Sequence, residues 1–79
     1  MTNIEKLNNI FCEAFSVEAS ALGADFCKDN VDGWDSVRQL SLTSSLEDEF
    51  DIMLDPEDIL ACVSYENAKE IVKKYEIEL

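Results

Sequence analysis

Apolar residues recur along most of this chain with a helical period. Ile4, Leu7, Phe11, Ala14 and Phe15 share one face of a helix predicted from about Asn3 to Phe15, with Thr2 or Asn3 as its N-cap. A second helix is predicted from about Ser36 to Asp51. On a helical wheel its Leu42, Leu46 and Phe50 fall within roughly 80°, and Met53 continues that core stripe if the helix extends. A short third helix has Asp55 as N-cap and Pro56 at the first helical position, and runs on from Glu57 to Cys62. The fourth starts from Ser64 as N-cap and carries Ala68, Ile71, Val72 and Tyr75 on one face. Lys69, Lys73 and Lys74 lie toward its C-terminal end, where cations suit the helix dipole. No segment alternates apolar and polar as a half-buried strand does. The expected fold is all-α: a four-helix bundle of three main helices and one short one, forming a single domain over residues 1–79.

Two features of this pattern ask for more than a core. Residues 16–35 have no sustained period, and a loop of that length is unusual in so small a domain. Val17, Leu22 and Phe26 are its apolar anchors. The second helix also has apolar side chains left over. Val37 and Leu40 lie off the core stripe; Ser41, Ser44 and Asp48 share the side of Val37, and Glu47 lies beside Leu40. Either the long loop folds over Val37 and Leu40, or they form a small docking patch with an acidic rim.

Composition narrows the function classes. Eighteen acids against six bases leave a net charge of -12, which disfavours nucleic acid and anionic membrane surfaces as partners. Residues 29–66 hold eleven of the acids and one base, Arg38, so the acidic field gathers in the middle of the chain. Such a field either solvates the surface or steers basic partners toward it. The start MTNIEKLNNI lacks a basic region followed by an apolar run, and no stretch nears the roughly 20 apolar residues that span a bilayer. A soluble, cytoplasmic protein is expected. Cys12, Cys27 and Cys62 are widely spaced and read as buried or half-buried thiols in a reducing compartment.

Enzyme readings fare poorly. With no His, Ser-His-Asp and Cys-His arrangements are excluded, and the two glycines, Gly23 and Gly33, build no phosphate-binding loop. A calcium loop with Gly33 at position six would need carboxylates where Lys28 and Gln39 stand. That leaves Asp35-Ser36. A serine at a helix start ordinarily caps it. A hydroxyl there is also well placed to carry a phosphate ester, because the helix end has unpaired N–H groups and a partial positive charge.

The stretch GWDSVRQLSLTSSLEDEFDIMLDPEDI, residues 33–59, resembles the acyl and peptidyl carrier protein family. The most diagnostic pieces are Asp35-Ser36-Val37, Leu46-Glu47, Glu49-Phe50-Asp51 and Asp55-Pro56-Glu57. The similarity extends to helix order, the long first loop and total length. It implies a stand-alone, non-enzymatic carrier with a carrier-like bundle. Ser36 would bear a 4′-phosphopantetheine arm from coenzyme A, with Asp35 in support. The arm would hold acyl, aminoacyl or peptidyl groups as thioesters for a fatty-acid, polyketide or other specialised pathway.

The implied partners are a phosphopantetheinyl transferase and acyl-transferring or condensing enzymes with basic docking patches. These would meet Val37, Leu40, Ser44, Glu47 and Asp48, and a monomer is expected. Arg38 and Gln39 depart from the acidic or small residues common after the motif in fatty-acid carriers. Gln39 and Thr43 flank the core stripe where a lipid-storing carrier prefers apolar walls, which leaves room for a dedicated carrier in a specialised pathway with a short or polar cargo. The alternative is a non-enzymatic acidic helical adapter that binds a basic partner through the same face and carries nothing.

Overall fold

Capping chemistry bounds the helices of the computed structural model, which describes residues 2–79. In chain order, α1 covers Asn3–Phe15, a 3-10 turn covers Ala19–Ala21, α2 covers Ser36–Phe50, α3 covers Pro56–Ala61 and α4 covers Tyr65–Lys74. Among the described residues no strand forms; Cys27 and Ser64 make an isolated antiparallel bridge. The described residues are therefore all-α, with four α-helices.

Thr2 and Glu5 form a reciprocal capping box at the head of α1: Thr2 Oγ1 accepts the Glu5 N–H, and the Thr2 N–H donates to Glu5 Oε1. These hydrogen bonds hold the Glu5 carboxyl below its ordinary value. Ser16 ends α1 in the left-handed conformation, with its N–H on the Cys12 carbonyl. Asp51 ends α2 in the same way, with its N–H on the Glu47 carbonyl. The chain turns there, so the angular register of the helix is lost beyond Phe50. Met53, expected to continue the core stripe, is 83% exposed, and Leu54 is buried instead. In α3, Pro56 takes the first helical position, and the helix ends at Ala61, one residue earlier than expected, with Cys62 as its C-cap. Ser64 Oγ caps α4 by accepting the Asn67 N–H at 2.9 Å.

The core is centred on Phe11, which is fully buried. Its ring lies 5.3 Å from Tyr65 and 5.9 Å from Phe26, both edge-on, and 6.3 Å from Trp34. Such pairs add about 0.5–1.5 kcal/mol each beyond burial. Phe26 and Trp34 come from the long loop, so the loop is pinned by its own rings, while Val17 and Leu22 are only half-buried. Backbone pairing fixes it further: the Lys28 N–H donates to the Val63 carbonyl at 2.8 Å and the Tyr65 N–H to the Phe26 carbonyl at 2.9 Å.

Polar contacts tie the N-terminal half of α3 to the end of α4. Asp58 is buried and receives Lys74 Nζ at 2.7 Å on Oδ1 and the Tyr75 hydroxyl on Oδ2. The same Tyr75 oxygen accepts the Asp55 N–H at 3.0 Å. The Lys74 and Tyr75 hydrogen bonds hold the Asp58 carboxyl below its ordinary value of 3.8. The Asp58 contact in turn raises both Lys74 and Tyr75.

Two outcomes follow. Phe11→Ala should remove about 3–5 kcal/mol from a domain whose total is roughly 4–12 kcal/mol, leaving it near unfolding in a urea melt. For Asp58, the folded protein takes up the proton less readily than the unfolded chain. Its stabilisation is complete above the unfolded pKa and fades as pH falls through the lower folded one. The difference in Tm between wild type and Asp58→Asn should therefore be largest near neutrality and narrow below about pH 4, as read by thermal melts across pH.

Candidate functional site

The head of α2 is set by three consecutive residues. Gly33 adopts a φ of 82°, a left-handed turn that a side chain disfavours. Trp34 then plunges into the aromatic cluster. Asp35 caps the helix: its Oδ1 accepts the Arg38 N–H at 2.8 Å. The capping role ordinary for a serine thus belongs to Asp35. Ser36 is the first helical residue and is exposed. In this first turn the Arg38 N–H is taken by the Asp35 carboxylate and the Gln39 N–H by the Asp35 carbonyl, which leaves those of Ser36 and Val37 without an intrahelical acceptor.

Ser36 borders a groove of about 200 Å³ whose other walls are Lys28, Gln39, Leu40, Ile59 and Leu60. Gln39 forms its most constrained wall. It is buried, and its Oε1 accepts the Trp34 indole N–H at 3.3 Å. Its Nε2 donates to the Ile59 carbonyl at 2.8 Å and the Leu60 carbonyl at 3.3 Å. The indole can only donate and the carbonyls can only accept, so a single amide orientation serves all three. Thr43, also buried, returns its hydroxyl to the Gln39 and Leu40 carbonyls of its own helix. Among the described residues no buried side-chain nitrogen or oxygen lacks a partner. Leaving the buried Trp34 indole N–H without its acceptor costs about 1–3 kcal/mol, whereas each methylene buried there contributes about 0.8 kcal/mol.

The outer face of α2 is open. Val37 is 77% exposed and Leu40 56%, so the loop does not cover them; its rings pack inward on α1 instead. Ser44 and Asp48 are exposed on the same helix. Glu47 is half-buried, and its Oε2 accepts the Leu54 N–H at 2.9 Å, bracing the turn after α2. Arg38 reaches away from the groove: Nη1 donates to the Ala14 carbonyl, and the guanidinium sits 5.6 Å from the Phe15 ring centre. Its charge lies at the C-terminal end of α1, where the helix dipole favours a cation.

Leu60, 75% exposed across the groove, and Lys28 also border the site, and no local pattern in the sequence marks either as a site residue. A six-residue helix is too short for its period to mark a face, and Lys28 sits in an aperiodic loop. Among the described residues no group of three or more His, Cys, Asp or Glu is placed to hold a metal ion. Burial pushes the Cys62 thiol up to about 12, so it stays protonated and unreactive.

Because Val37 and Leu40 are exposed, Val37→Asp or Leu40→Asp should shift stability by no more than about 0.5 kcal/mol, a Tm change under roughly 4 °C in a circular-dichroism melt. Compared with family models, curated proteins and solved structures, the chain matches none.

Proposed function

We propose that this chain is a stand-alone carrier protein of the acyl and peptidyl carrier type, modified on Ser36 with 4′-phosphopantetheine. The observation that carries the reading is the exposed Ser36 hydroxyl on the first residue of α2, with Asp35 already serving as the cap. The residues present fit the group. A phosphodiester at Ser36 would sit at the head of α2, where the helix dipole favours an anion although the Asp35 carboxylate already takes the Arg38 N–H, beside the groove that Lys28 borders. When bound, the group supplies a mobile thiol that holds acyl, aminoacyl or peptidyl units as thioesters.

The protein's own residues present and steer. Asp35 fixes the start of α2 and so the position of Ser36. Val37 and Leu40 offer apolar contact to a partner, with Ser44, Glu47 and Asp48 further along the same helix. The acidic field draws in partners with basic patches, the transferase and acyl-handling enzymes among them. No helix among the described residues is long and apolar enough to cross a membrane. The bundle is read as carrier-like because its helix order and long first loop match that plan.

Incubation with coenzyme A and a broad-specificity phosphopantetheinyl transferase should add one phosphopantetheine by intact mass, and Ser36→Ala should add none. Absence of the gain in wild type, or its survival in Ser36→Ala, would sink the reading. An adapter that carries nothing would instead keep its function in Ser36→Ala and lose it on charge reversal at Glu47 and Asp48.

A further inference from the structure

We propose that Gln39 is the residue that determines cargo class: its carboxamide bolts the α2–α3 seam shut, so that an acyl group carried at Ser36 stays in the surface groove. The role as cargo selector rests on the carrier reading; the bolt rests on the geometry of Gln39. The groove beside Ser36 has an apolar rim from Leu40, Ile59 and Leu60, but Gln39 is the buried polar residue among its walls. Its carboxamide oxygen is held by Trp34, which is packed into the aromatic cluster, and its nitrogen by the last turn of α3. A chain passing from the groove into the core must displace that carboxamide.

Displacement leaves the buried Trp34 indole N–H without its acceptor and takes a donor from the part-buried carbonyls of Ile59 and Leu60, of which Ile59 keeps the Cys62 N–H. At about 0.8 kcal/mol each, the first few methylenes buried do no more than offset that loss of about 1–3 kcal/mol. One turn further along α2, Thr43 is also a buried polar residue, its hydroxyl returned to the carbonyls of its own helix. The site therefore takes up an alkyl chain more weakly than the same seam would with an apolar residue at position 39.

The bolt is tested on the full, unmodified chain with 1-decanol, an uncharged probe that the net charge of -12 does not repel. Wild type should show neither a rise in Tm nor a shift of the Trp34 indole resonance. Gln39→Leu should bind decanol roughly ten-fold more tightly or better, with a rise in Tm. Gln39→Met, unbranched and close in length, serves the same comparison if the leucine variant does not fold. Uptake by wild type equal to that of the variants, or no uptake by either variant, overturns the bolt.

A second arm loads Ser36 with butyryl- or decanoyl-phosphopantetheine. Wild type should melt at the same temperature with both, and the Gln39 variants should gain Tm with decanoyl alone. If Ser36 accepts no arm, the carrier reading fails while the decanol comparison still decides the bolt. If loading is normal and decanoyl raises the wild-type Tm as it does the variants', the bolt fails and the carrier reading stands.

Discussion

The Gln39 carboxamide joins three segments that meet in the middle of the molecule: the end of the long loop through Trp34, α2 itself, and the last turn of α3. A buried amide tolerates no missing partner, so the positions of these segments are set relative to one another. Much of the candidate site depends on that constraint. Trp34 fixes the end of the loop, the Gly33 turn and the Asp35 cap follow from it, and Ser36 is delivered to the first position of α2. At six residues α3 is far too short to persist on its own. It is held at one end by Gln39 and at the other by the Asp58, Lys74 and Tyr75 contacts. The groove beside Ser36 exists because α3 is held there.

Electrostatics shows a similar division of labour. Of the six bases, Arg38 is drawn onto the end of α1, Lys74 onto Asp58, and Lys69 onto Glu66 at 3.0 Å. The first two serve internal contacts; the third is a partly exposed pair of the kind that contributes little to stability. Half of the chain's positive charge is thereby taken up locally. Of the described acids, those of α2 take part in neither of the two ion pairs. An acidic surface flanking exposed Val37, Leu40 and Leu60 is the setting in which the proposed partner contacts would operate.

The sequence carried the helices well because their signals are local. Periodicity placed Leu7, Phe11, Leu42, Leu46, Ala68 and Val72 in the core, and all are fully buried. Cap residues located the starts of α1, α3 and α4. The wheel also separated Val37 and Leu40 from the core stripe of α2, and both are exposed. The same local reasoning failed where the chain changes direction. Met53 was placed on the stripe by extending a helix that Asp51 ends, and Leu54 took the buried place. The serine was read against a capping role that the preceding Asp35 performs.

Taken alone, then, the sequence determined the helical class, the order of the helices, most of the core and the residues available at the head of α2. These follow from spacing within a few turns and from side chains that bond to their own backbone. Only the tertiary structure decided which polar groups could be buried and what borders Ser36. Gln39 finds its acceptors 20 and 21 residues away, and Asp58 finds its donors 16 and 17 residues away. A polar side chain is stable inside only if such distant partners arrive in the right geometry, and no local pattern records their arrival.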